Sequence, residues 1–136
     1  MTTKITALTS DLDHARSSGV APWQTVVDMQ PDYVVFADAY AVTQGHLLFV
    51  PRQETWLCLA ACYQAAYETG TAGVREGRWE AFNIGQNIGE AAGQTVMYPH
   101  VHMIPRRQGD CEDPTGGVRG VIAAQQNYRK AEYQKP

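Results

Sequence analysis

The stretch GQTVMYPHVHMIPRR, Gly93–Arg107, decides how the chain is read, because two imidazoles, His100 and His102, stand two apart in an otherwise apolar run. Successive side chains of a strand point to opposite faces, so Tyr98, His100 and His102 are expected on one side and Pro99, Val101 and Met103 on the other. Imidazole attacks as a neutral base and donates when charged near neutral pH, its unperturbed pKa being about 6.5. Three uses compete for such a pair: a metal centre, a nucleophile with its helper, or two histidines satisfied in a polar patch.

A metal needs a third protein ligand and usually a fourth group. His46 is available as the third and Glu90 or Asp110 as the fourth, but no zinc-motif spacing is reproduced, and no metal is assigned. Chemistry at phosphorus asks for less: a neutral imidazole in line with the leaving group, and donors for the charge on the phosphoryl oxygens. Gln94, Thr95, the amides of a glycine-bordered turn and the second imidazole all lie within a few residues of His100.

Working outward, 136 residues suit one domain, expected over 1–136 with a core at about 20–122 and a tail at 123–136. The 44% hydrophobic, 10% aromatic and 18% charged fractions are those of a globular chain. A formal net charge of -3 gives no general attraction to nucleic acid or an anionic membrane, so phosphate affinity must be local. Arg106 and Arg107, directly after the histidines, are either that local cation or an ordinary solvated strand end. Three cysteines, Cys58, Cys62 and Cys111, form no disulfide framework, and the opening residues lack the apolar core of a signal peptide, so a cytoplasmic setting is expected. No run approaches the ~20 apolar residues of a membrane span. Cys58 and Cys62 read as small buried helix residues and His14 as a surface histidine.

Along the chain, TSDLDHARSSG predicts a short helix capped by Ser10 or Thr9 and ended by Gly19. Strands are predicted near residues 23–28, 33–37, 46–50, 79–84 and 96–104, the first two pairing as a hairpin about the Pro31-Asp32 turn. A helix is predicted over about 55–69, with Trp56, Leu59, Ala60, Tyr63 and Tyr67 as the stripe that packs on the sheet and Gly70 as its stop. Gly85, Gly89 and Gly93 punctuate the loop before the histidines. The packing of the tail, VIAAQQNYRKAEYQKP, is not predictable from its pattern.

Two separated motifs carry a resemblance. Asn87-x-Gly89-x-x-x-Gly93-Gln94-Thr95-Val96 followed by His100-Val101-His102-Met103-Ile104-Pro105-Arg106 resembles the signature of the histidine triad (HIT) superfamily of nucleotide hydrolases and transferases. Val34-Val35-Phe36-Ala37-Asp38 and then Gly45-His46-Leu47-Leu48-Phe49-Val50-Pro51 are similar to the family's other signature, in order and spacing. Together they span roughly residues 33–119. The resemblance implies an α+β fold, a twisted antiparallel sheet of about five strands with one long and one short helix, assembled as a homodimer. It implies that His100 attacks an α-phosphorus and is transiently nucleotidylated, with His102 supporting the phosphate site as the second catalytic residue. His46, Asn87, Gly93, Gln94 and Thr95 match further phosphate-site positions, and Asp38 the position that holds ribose hydroxyls. Tyr98 stands where the family has its first histidine and is assigned to the same phosphate site. Tyrosine donates a hydrogen bond but takes up no proton near neutral pH. The implied ligand is a purine nucleotide or dinucleoside polyphosphate, with neither nucleic acid nor membrane as partner and no cofactor built into the scheme. The rival from another class is a nucleotide-binding module in which Tyr98 marks weak or lost catalysis.

Overall fold

A computed structural model describes residues 9–136. Five strands make one antiparallel sheet: β1 (Val26–Met29), β2 (Tyr33–Ala37), β3 (Leu47–Pro51), β4 (Ala81–Gly85) and β5 (Val101–Arg106), in spatial order β1-β2-β3-β5-β4. Two helices accompany them, α1 (Asp11–Ser17) and α2 (Trp56–Arg75).

Period-two alternation divides the sheet into two apolar faces. Val35, Phe49, Val101 and Met103 pack with Cys62, Ala65 and Ala66 of α2 on one side. Val34, Phe36, Leu48, Val50 and Tyr98 pack with Leu12 and Ala15 of α1 on the other. The core therefore begins before residue 20, because α1 covers a face that would otherwise meet water. Ser10 caps α1 reciprocally: the Asp13 N–H donates to Ser10 Oγ at 3.1 Å and the Ser10 N–H to the Asp13 carboxylate at 3.3 Å. Gly19, at φ 83°, follows its last turn.

Helix α2 starts where predicted, with the Cys58 N–H donating to Thr55 Oγ1 at 3.2 Å. It runs to Arg75, past Gly70. Gly70 and Gly73 are close-approach residues: a Cβ at 70 would lie 2.4 Å from the Phe82 ring, and one at 73 would lie 2.0 Å from the Trp79 indole. The buried face is also not the predicted stripe. Cys58, Cys62, Ala65, Ala66, Gly70 and Gly73 face the sheet, Leu59 and Tyr63 border that core, and Trp56 and Tyr67 are 72% and 61% exposed. Small residues win that face because they let helix and sheet approach.

The strand limits shift for local reasons. β5 begins at Val101 and not near 96, since Pro99 has no N–H to offer a ladder. β1 begins at Val26, and Trp23 before it folds over Phe36 with ring centroids 5.8 Å apart. β4 begins at Ala81, while Trp79 turns inward and donates its Nε1–H to the Gly70 carbonyl at 2.9 Å. The tail folds into short 3₁₀ turns, Gly117–Val121 and Ala123–Gln125, the first lying against β4.

Candidate active site

Leu48 of β3 lies directly opposite His102 of β5, and facing residues of a pair share a sheet face. His102 thus stands on the α1 side of the sheet, while its neighbours Val101 and Met103 are fully buried beneath α2. His100 precedes the regular strand but keeps the same side. The three rings His46, His102 and His100 form a row, each neighbouring pair of centroids 5.1 Å apart.

The row carries a defined set of proton positions. A backbone N–H only donates, so the Val42 N–H at 3.0 Å makes His46 Nδ1 an acceptor and puts the His46 proton on Nε2. That Nε2–H faces His102 Nδ1 at 2.9 Å, with Asp38 Oδ2 at 3.4 Å as a second acceptor. His102 accordingly accepts at Nδ1 and carries its own proton on Nε2. At His100 the opposite tautomer is held: Nδ1 donates to the Tyr98 main-chain carbonyl at 2.8 Å, which leaves the Nε2 lone pair without a hydrogen bond among the described residues.

Both supporting rings are kept neutral. Burial lowers His46 despite the facing Asp38, and burial, then the neighbouring His100 and His46, pulls His102 from 6.5 down to about 4. An unfolded chain therefore takes up a proton at His102 between about pH 6.5 and 4 that the folded chain refuses, so this group's contribution is present above pH 6.5 and lost as pH falls towards 4. Thermal melts of the wild type and of His102→Asn should diverge across that window, the wild type losing roughly 2 kcal/mol more on acidification.

A cavity of about 590 Å³ opens beside the row, bordered by Trp23, Asp38, Asn87, Thr95, His100 and His102. Asp38 arrives at the end of β2, His102 at the start of β5, and Asn87, Thr95 and His100 from the loop between β4 and β5. One Asp38 oxygen accepts the Tyr40 N–H at 2.8 Å, which orients the carboxylate. His46 is behind His102, and reaches the cavity through it. Trp23 was not singled out by sequence; its ring lies 4.8 Å from that of His100, and nothing in the local pattern of WQTVVDM marks it as different from a strand residue.

Three of the expected phosphate-site residues are occupied elsewhere. Tyr98 is buried, and its hydroxyl donates to the Pro51 carbonyl at 2.6 Å, so the side chain anchors the strand approach and only its main chain touches the histidines. Burial also pushes its phenol well above the usual range. Gln94 closes its own loop, accepting the Gly89 N–H at 2.8 Å and donating to the Val96 carbonyl at 3.0 Å. Gly93, at φ 90°, gives its N–H to the Glu90 carbonyl at 2.9 Å. These two shape the turn that delivers Thr95. The paired arginines resolve as a strand end: Arg106 holds Asp110 at 2.8 and 2.9 Å, and Arg107 donates to the Gln44 carbonyl at 3.0 Å. Among the described residues, the donors that converge well enough to hold a metal are Asp38, His46 and His102, within 4.8 Å of one another; His46 and His102 belong to the set expected from sequence, while Asp38 takes the place given there to Glu90 or Asp110 and His100 stands outside the group.

No helix of the described residues is long and apolar enough to cross a membrane. The chain is 32% identical over 82 residues to adenylylsulfatase HINT3 of Arabidopsis thaliana, covering 54% of this chain and 41% of that protein. It is 32% identical over 85 residues to an uncharacterised HIT-like protein of Mycobacterium tuberculosis, covering 57% of this chain and 59% of that one. It thus spans about four- to six-tenths of the curated relatives it matches. Among solved structures it is similar to a zinc-bound histidine triad family protein from Mycobacterium smegmatis (TM-score 0.60, 27% identity, 80% of this chain and 90% of that one). A HIT family protein from Bacillus anthracis matches with TM-score 0.58 at 27% identity over 75% of this chain and 78% of that one. The HIT domain family itself matches residues 21–109, which hold every member of the histidine row, and the chain belongs to that family.

Proposed function

We propose that the protein is a nucleotide hydrolase or transferase acting at an α-phosphorus, cleaving phosphoramidate or phosphoanhydride bonds. The observation that carries this reading is the pair of opposite tautomers: His100 holds a free Nε2 lone pair at the cavity, and His102 beside it carries an Nε2–H. The first is a nucleophile and the second a donor to a phosphoryl oxygen.

In the reaction, the His100 Nε2 lone pair forms a bond to phosphorus as the bond to the leaving group breaks. For a phosphoramidate, the departing nitrogen takes the P–N electron pair and one proton from solvent. The ring, protonated at Nδ1 and nucleotidylated at Nε2, is cationic, and the Tyr98 carbonyl stabilises that charge through the Nδ1–H. Water then attacks phosphorus, the N–P bond returns its pair to His100, and the attacking water gives one proton to solvent, which balances the one the departing amine took, as the nucleoside monophosphate is released. Thr95 and Asn87 supply further donors to the phosphoryl oxygens, and Asp38 accepts from ribose hydroxyls with the base lying toward Trp23. His46, fixed by Val42, keeps His102 in its donating tautomer.

The test is incubation with an adenosine phosphoramidate and with a diadenosine polyphosphate, following AMP. Nucleotide binding without AMP release would leave a binding module in place of an enzyme. Tyr98→Phe separates the two accounts of that position. It should cost about 1–2 kcal/mol in a denaturant titration, since a buried hydrogen bond is lost, and should leave kcat within about threefold, since any residue supplies the carbonyl that holds His100. A fall in kcat of a hundredfold or more would mean that the hydroxyl itself acts in the reaction.

The working unit in this reading is a homodimer. Trp56, Tyr67 and Val74 lie along one line of α2, 11 and 7 residues apart, and are exposed, so a second copy packed on that helix would cover them.

A further inference from the structure

Trp23 lies in the connection between α1 and β1, and its indole packs against the ring of His100, the centroids 4.8 Å apart and the planes 60° to one another. Phe36 and Tyr98, both buried, hold the indole in place at 5.8 and 6.5 Å. We propose that Trp23 is a positioning residue for charge: its π system stabilises the imidazolium that His100 becomes on taking up the nucleotidyl group. The inference rests on the reading of His100 as nucleophile, through whose ring Trp23 acts.

The reaction changes the charge of that ring twice. As the Nε2 pair bonds to phosphorus, the leaving group departs with its own bonding pair, and a neutral imidazole becomes a cation that keeps its Nδ1 proton. When water displaces the ring, the N–P pair returns to Nε2, one water proton goes to solvent, and the cation is gone. A group that favours the cation therefore speeds the first step and not the second.

The surroundings of His100 offer that cation little else. The residue is 8% exposed, so the charge develops where little water reaches it. None of the ion pairs among the described residues includes His100. Asp38, the carboxylate of the cavity, stands 3.4 Å from His46 Nε2 and accepts the Tyr40 N–H. His102 presents an N–H, the positive end of a dipole. The Tyr98 carbonyl answers the Nδ1–H alone, at 2.8 Å. For the rest of the ring the structure offers the indole, inside the ~6 Å over which an aromatic quadrupole attracts a cation. Tryptophan is the best of the aromatic side chains for this, and the attraction is largest where water is excluded.

The experiment follows single turnovers of a saturating adenosine phosphoramidate by rapid quench, timing both formation and hydrolysis of the adenylyl-enzyme. Tryptophans bearing successively more fluorine, installed at position 23 alone, withdraw π density at nearly constant shape. Formation should slow stepwise with fluorine, by about tenfold across the series, while hydrolysis holds or quickens. Trp23→Leu should show the full effect, and Trp23→Phe should fall between leucine and tryptophan. Any stacking of the base on the indole enters through KM, which saturation removes. A flat fluorine series, or one in which formation and hydrolysis slow together, overturns the charge role, while an adenylyl group found on His100 still supports the nucleophile. A phenylalanine variant no faster than leucine overturns it as well. Absence of any adenylyl-enzyme overturns both.

Discussion

His100→Asn is expected to lower kcat/KM for AMP release by at least about four orders of magnitude while the protein stays folded. The magnitude follows from the role: removing a covalent nucleophile costs up to about 10⁶-fold in a well-studied hydrolase, with only binding and charge stabilisation left behind. Asparagine is chosen because its amide keeps a donor for the Tyr98 carbonyl, which His100 now serves at 2.8 Å, but offers no lone pair equivalent to Nε2. His100→Gly makes the complementary test, since free imidazole can enter the vacated space. Partial recovery of AMP release with added imidazole in that variant would assign the loss to the missing ring and not to a disturbed sheet.

The largest effect on stability is expected at Gly73, far from the histidines. Alanine at an interior helix position is favoured over glycine by about 1 kcal/mol. Here the new methyl would stand 2.0 Å from Trp79, an indole that is buried and pinned by its bond to the Gly70 carbonyl. Overpacking against a fixed ring costs about 3 kcal/mol or more, so the clash outweighs propensity and Gly73→Ala should be destabilised by about 2 kcal/mol net, with Tm lower by several degrees. Because α2 covers the face of the sheet opposite the histidines, kcat of the surviving folded fraction should change little. A Gly73→Ala protein as stable as the wild type would mean that Trp79 can move aside.

These two positions also mark what the sequence made legible. The alternation around His100 and His102 placed the rings correctly relative to Val101 and Met103, because a strand's period is a local property and β3 paired as its apolar run suggested. Asp38, Asn87, Thr95, His100 and His102 were singled out from sequence and do gather at one cavity. Gly70 was misread because a glycine that stops a helix and one that admits a ring look the same in sequence; Phe82 and Trp79 distinguish them from nine to twelve residues away. Tyr98 and Gln94 were assigned to phosphate for a similar reason. Each has a polar group that a ligand could use, and only the positions of the Pro51 carbonyl and the Gly89 amide show that it is already engaged. The tail gave no periodic signal at all, and its 3₁₀ turns build a cavity wall that has no counterpart in local pattern.

The central claim, that His100 forms a bond to phosphorus, is tested most directly by stereochemistry. An adenosine phosphoramidate with one non-bridging oxygen replaced by sulfur, of single configuration at phosphorus, would be hydrolysed in water enriched in the heavy oxygen isotope. Two successive in-line displacements, the first by His100 and the second by water, give net retention, and retention is the expected result. Inversion would show that water attacks phosphorus directly and that the histidine row only positions it.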